Sequence, residues 1–141
     1  MDTIVIGIDG SPSAKVAAQN AADMASTYRR PLHIVMAVPR VSVVEASSGS
    51  DRFRISSTDI AEQTLLTLAS ELRATIDVPI TTAVVVDDPA TALCDEARSM
   101  KASMIVVGNK RTQGAARVLG SVAGGVLKDS PCSVHVVHTC Y

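Results

Sequence analysis

Apolar and polar positions alternate along the chain between two periods. Residues 3–8 are a near-continuous β-branched run, expected of a strand covered on both faces. Asp9-Gly10-Ser11-Pro12 then supplies a turn, an N-cap in Ser11 and a proline at the first helical position; Val16, Ala17, Ala21, Met24 and Ala25 follow as one apolar face. The alternation repeats. A second strand is expected over 32–38, a helix carrying Ala61, Leu65, Leu68, Ala69, Leu72 and Ile76 on one stripe, and a third strand over 80–86. Asp87-Asp88-Pro89 ends that strand and opens a helix with Ala90, Leu93, Cys94, Ala97 and Met100 inward. A fourth strand spans 103–107, a short helix carries Leu119, Val122, Ala123, Val126 and Leu127, and Asp129-Ser130-Pro131 stops it before a fifth strand at 133–137. Residues 39–57 are polar and Ser-rich, and read as a long loop, disordered ahead of acting as a lid.

Strands alternating with helices specify an α/β fold: one five-stranded, mostly parallel, doubly wound Rossmann-like sheet with right-handed crossovers, taking 1–141 as a single domain. In such sheets a ligand sits beyond the strand C-termini, where the strand order reverses. The loop after the first strand (residues 7–11), the end of the second (36–38) and the loop after the fourth therefore converge on one crevice.

Composition narrows the function. Only 2% of residues are aromatic and none is Trp, so base-stacking platforms are missing and nucleic acid is not an expected partner. Net charge is -1, yet no acid lies between Glu96 and Asp129, while Arg98, Lys101, Lys110, Arg111, Arg117 and Lys128 do. That basic window surrounds the loop after the fourth strand and favours a small anionic ligand, chance clustering on a solvated face being the alternative. Three cysteines, Cys94, Cys132 and Cys140, show no CxxC spacing, so neither a disulfide framework nor a zinc ribbon is indicated and a reducing cytoplasm fits best. No leader and no apolar run of ~20 residues argues for export or membrane spanning.

Within the crevice, Asp9 reads equally as a turn residue or as a ligand to ribose or to a phosphate-bound metal. Gly7 inside a β-branched strand marks a close approach by ligand or by packing. Gly120-Ser121 opens a helix, where free N–H groups and the dipole favour an anion, with Ser121 as the expected cap. Gly124-Gly125 inside that helix suggests close packing. His33, His135 and His138 share no ligand spacing, so no metal site is expected. Walker, nucleophile-elbow and paired-carboxylate motifs are missing, leaving no expected catalytic residues.

Taken together, Ile4-Val5-Ile6-Gly7-Ile8-Asp9-Gly10-Ser11, His33-Ile34-Val35-Met36-Ala37-Val38, Pro89 before Ala90-Thr91-Ala92-Leu93, and Ile105-Val106-Val107-Gly108 leading to Leu119-Gly120-Ser121-Val122 resemble a universal stress protein over nearly the whole chain. The resemblance implies a cytoplasmic stress-response module binding ATP or another adenine nucleotide such as AMP or cyclic AMP, with Mg possible at Asp9 through the nucleotide. It places Ile8 and Asp9 near the nucleoside, the main chain of Ala37 on the adenine edge, and Val107, Gly108, Asn109, Lys110 and Arg111 with Gly120, Ser121 and Val122 around ribose and phosphates. It also implies a homodimer through 134–137. The family's G-x2-G-x9-G-[ST] pattern is altered: Arg111 occupies the second glycine position and eight residues, 112–119, precede Gly120. Arg111 and a shortened loop would obstruct a triphosphate; conversely, Arg111 adds a charged contact and Gly114 restores flexibility, favouring a mono- or cyclic nucleotide. The alternatives are a nucleotide-free interaction dimer and a slow ATPase or autokinase.

Overall fold

The computed structural model describes residues 2–39, 50–109 and 120–139, with side chains from 58 onward in the second segment. Its elements run β1 (Ile4–Ile8), α1 (Pro12–Tyr28), β2 (Leu32–Val38), α2 (Ser50–Arg73), β3 (Ile80–Val86), α3 (Pro89–Ser99), β4 (Met104–Asn109), α4 (Ser121–Asp129) and β5 (Ser133–His138). The strands form one sheet in the order β3-β2-β1-β4-β5, with every pairing parallel. The expected α/β fold is therefore present, with all of the sheet parallel rather than most of it.

Period-two burial explains why the strands read as unbroken apolar runs. Ile4 and Ile6 of β1, with Ile34 and Val106, pack beneath α1 and α2 against Ala17, Ala21, Ala25, Leu65 and Leu72. Val5, Val35, Ile105 and Val107 point the other way, onto Leu93 and Ala97 of α3 and Ala123 and Val126 of α4. Both faces of β1 are dry, so neither register of its alternation carries a polar residue. Alanine on the inner face of α1 lets that helix approach the sheet closely; Ala17, Ala18, Ala21, Ala22 and Ala25 have no exposed surface.

Local chemistry fixes the helix starts around the crevice. Ser11 caps α1 by accepting the Ala14 N–H at 3.2 Å, and Pro12 occupies the first turn. Asp88 does the same for α3, accepting the Thr91 N–H at 3.1 Å ahead of Pro89. Gly10 between β1 and α1 has φ +84, the left-handed conformation that glycine adopts without strain. Register pairs Ile8 with Met36 and Gly108 with Val137, bringing the strand C-termini to one level.

Several expected boundaries move: β4 runs to Asn109 rather than 107, α2 ends at Arg73 short of Ile76, and of the expected loop over 39–57 residues 40–49 lie outside the described residues. Residues 50–57, read as loop, are the first turns of α2. Serine is as much at home at a helix start as in a loop, and a polar stretch offers no apolar stripe for periodicity to detect. No helix among the described residues is long and apolar enough to cross a membrane.

Candidate functional site

β1 connects outward to β2 and β3, after which the chain crosses back to β4 and β5, so the strand order reverses between β1 and β4. A cleft of about 230 Å³ opens there, beyond the strand C-termini. Its floor is Gly7, Ile8, Val107 and Gly108; Val35 and Ala37 form the β2 end, and the first turns of α1, α3 and α4 supply Ser13 and Ala14, Pro89, and Val122. Three helix N-termini thus face one small space, a setting that favours negative charge.

Gly7 shapes this floor. A Cβ there would stand 2.7 Å from Leu93 Cδ1, so the glycine lets α3 lay Leu93 directly on β1 while leaving its backbone in the cleft. Of the two readings of Gly7, the Leu93 contact supports close packing. Asp9 Oδ1 accepts the Ser11 N–H at 2.9 Å, which makes it the turn residue at the head of α1. Its carboxylate remains exposed on the cleft wall and is the one ionisable side chain among the described lining residues.

The structure brings Ile8, Asp9, Ala37, Val107, Gly108 and Val122 together around the cleft. Asn109 does not line it: it is buried, and its Oδ1 accepts the Gly120 N–H at 2.9 Å, clasping the end of β4 to the start of α4. Gly120 is the residue that caps α4, in extended conformation and without a side-chain cap bond. The expected cap, Ser121, is instead the first helical residue and is exposed. The reason is geometric: Asn109 needs a close N–H at residue 120, and a Cβ there would approach its Oδ1 to 3.3 Å. Lys110, Arg111 and Gly114 lie outside the described residues.

Sequence reasoning missed Ser13, Ala14, Val35, Pro89, Leu93 and Thr139 as lining residues. Ser13, Ala14 and Pro89 were legible in principle, since a residue in the first turn after a β-strand loop shares the level of the strand ends. Thr139, just past β5, carried no pattern. His33 lies away from the cleft, near the N-terminal end of β2, with Nδ1 2.7 Å from Thr81 Oγ1 and Nε2 2.7 Å from Glu96 Oε1.

Fold and cleft define a parallel, doubly wound α/β protein with a cleft at the switch point between β1 and β4. A model described as the Universal stress protein family matches residues 1–138, and the chain belongs to that family. It is similar to a universal stress protein solved in complex with cAMP, at 29% identity over 98% of this chain and 97% of that one, with a TM-score of 0.77. A universal stress protein from Archaeoglobus fulgidus in complex with dAMP shares 23% identity, covering 96% of this chain and 97% of that one, TM-score 0.71. Universal stress protein UspA from Lactobacillus plantarum shares 22%, covering 96% and 97%, TM-score 0.70. The last two likenesses concern the fold. No curated protein matches the chain closely enough to count as a relative.

Proposed function

We propose that the protein is an adenine-nucleotide-binding regulatory module, taking its ligand in the switch-point cleft. The observation that carries this is the composition of the cleft wall: bare backbone at Gly7 and Gly108, a small Ala37 at the β2 end, and a single exposed carboxylate, Asp9, between them. Ala37 leaves main-chain donor and acceptor groups free to read a base edge. Asp9 accepts hydrogen bonds from ribose hydroxyls, and apolar Ile8, Val35 and Val122 cover a planar ring. The related proteins solved with cAMP and dAMP support an adenine ligand. A mono- or cyclic nucleotide is the form favoured, because Arg111 replaces a glycine in the phosphate loop. A triphosphate with Mg at Asp9 is the variant the same experiment tests.

β5 is an edge strand bearing Val134 and Val136, and pairing of two copies through 134–137 would cover that edge. The role fits a cytoplasmic protein, and binding rather than turnover is its work.

Titration calorimetry with AMP, cyclic AMP and ATP, with and without Mg, tests the reading. Binding of a monophosphate is expected, reduced in Asp9→Ala. No heat with any of the three at millimolar ligand would refute it, and would leave the protein-interaction dimer as the reading to pursue by sedimentation.

A further inference from the structure

Thr139 follows β5, and its hydroxyl presents an unresolved cost. The residue is 2% exposed, and among the described residues its Oγ1 has no hydrogen-bond partner. Buried polar atoms without partners are rare in native structures because each forfeits its hydration, so an exception asks what fills it. Thr139 also lines the switch-point cleft. Its backbone N–H reaches the Asn109 carbonyl at 3.3 Å, extending the β4–β5 pairing by one residue and holding the side chain at the cleft's far end.

Position along the cleft gives the chemistry. Ala37 ends β2 at one side and Thr139 follows β5 at the other, with the ends of β1 and β4 between them. Three strand spacings separate the two, roughly 14 Å, a span suited to a nucleotide with its base at one end and its phosphate at the other. Among the described lining residues the one acid is Asp9, at the end of β1. A Cβ on Gly108 would lie 3.1 Å from Thr139 Cγ2 and 3.3 Å from Ala17 Cβ, so Thr139 sits against the inner face of α1. Ser13, one turn before Ala17 on that face, lines the same cleft. Pro12 has no N–H and the Ala14 N–H is taken by Ser11, so among the described residues Ser13 holds the first-turn N–H open to a ligand.

We propose that Thr139, together with the first turn of α1 at Ser13, forms a phosphate-recognition subsite, with the Thr139 hydroxyl donating to a phosphate oxygen of the bound nucleotide. The assignment rests on the nucleotide reading above. It adds a residue from a different part of the chain than the loop after β4, and one just past the segment the family model matches. Among the described residues the hydroxyl is a buried donor without an acceptor, and the ligand supplies one.

The test compares Thr139→Val, which keeps the shape and removes the hydroxyl, with Thr139→Ser, which keeps the hydroxyl. Titration calorimetry of the full chain with AMP and with adenosine is paired with melting curves of the free proteins. Thr139→Val is expected to bind AMP about tenfold more weakly, the value of one hydrogen bond to a charged group. Its adenosine affinity should be unchanged, and the free protein should melt no lower than the wild type; Thr139→Ser should retain AMP affinity. Equal AMP binding by Thr139→Val and wild type would overturn the proposal, as would an equal loss for adenosine or a lowered melting point of the free valine variant, which would reveal a structural partner. A wild-type protein that binds no AMP would instead overturn the nucleotide reading itself.

Discussion

Adjacent glycines in α4 are expected to answer the same substitution with opposite sign. Each Gly→Ala change gains about 0.8–1.0 kcal/mol of helix propensity, because alanine has less backbone freedom to lose. At Gly124 an added Cβ meets nothing within 4 Å, so the gain is realised in full. At Gly125 the same atom would stand 2.8 Å from the Cβ of Ala90, against the ~3.5–4.0 Å at which carbon atoms rest. A Cβ has no rotamer by which to escape, so α4 must move away from α3; overpacking of this kind costs ~1–3 kcal/mol, more than the propensity gained. Urea denaturation followed by circular dichroism should show Gly124→Ala stabilised by ~0.5–1 kcal/mol, a rise of about 3 °C in Tm, and Gly125→Ala destabilised by up to ~2 kcal/mol. Since Val122 at the head of α4 lines the cleft, only Gly125→Ala should also weaken nucleotide binding. Stabilisation by both changes would refute the close α3–α4 contact, and destabilisation by Gly124→Ala would refute the open space beside it.

Gly7→Ala should weaken nucleotide binding as well as destabilise the fold: its Cβ would meet the Leu93 methyls at 2.7 and 2.8 Å, and Leu93 also lines the cleft; calorimetry beside a melt separates the two effects. Asp88→Ala removes acceptors of the Thr91 N–H and hydroxyl at 3.1 and 3.0 Å and should cost about 1 kcal/mol in denaturant, with Asp88→Asn recovering most of it. For Cys94, burial pushes the thiol above its ordinary value of 9.0, with Arg98 acting in the opposite direction. A pKa raised by folding contributes stability that is complete below the unfolded value and is lost as pH climbs through the folded one. The wild type should therefore lose stability from about pH 9 upward more steeply than Cys94→Ala, and identical slopes in pH-dependent urea titrations would refute the desolvation. At pH 8 the same thiol should alkylate more slowly than Cys132, which mass spectrometry of digested protein would show.

Strands and helix faces were legible because both periods are strong here: Val5 and Ile6 point to opposite cores, yet both are apolar, and Ala17, Ala21 and Ala25 fall on one stripe. The start of α2 at Ser50 was not, since its first turns carry no such stripe. In the cleft, Ile8, Asp9 and Gly108 were readable from their place at strand ends, where parallel register must gather them. Thr139 was not, because what marks it is a hydroxyl without a partner among the described residues, and a missing hydrogen bond has no signature in a string of residues.

Asn109 shows the same limit from the other side and bears on how the altered loop should be understood. Counting residues from Gly108 to Gly120 suggests a strand end, a shortened phosphate loop and a helix cap in series, with Ser121 as the cap. The structure instead joins the two ends directly: Asn109 Oδ1 holds the Gly120 N–H, while β4 is pinned by its register with β5 and α4 by burial of Ala123 and Val126. A change of one residue between those ends therefore leaves the strand and the helix where the sheet puts them. The departure at Arg111 thus leaves the frame of the cleft, as the described residues build it, in place. On that frame Ala37, Asp9 and Thr139 keep their places whatever the loop's length, so selectivity among adenine nucleotides should follow exchange of loop residues, whereas loss of Asn109 should reduce affinity for all of them.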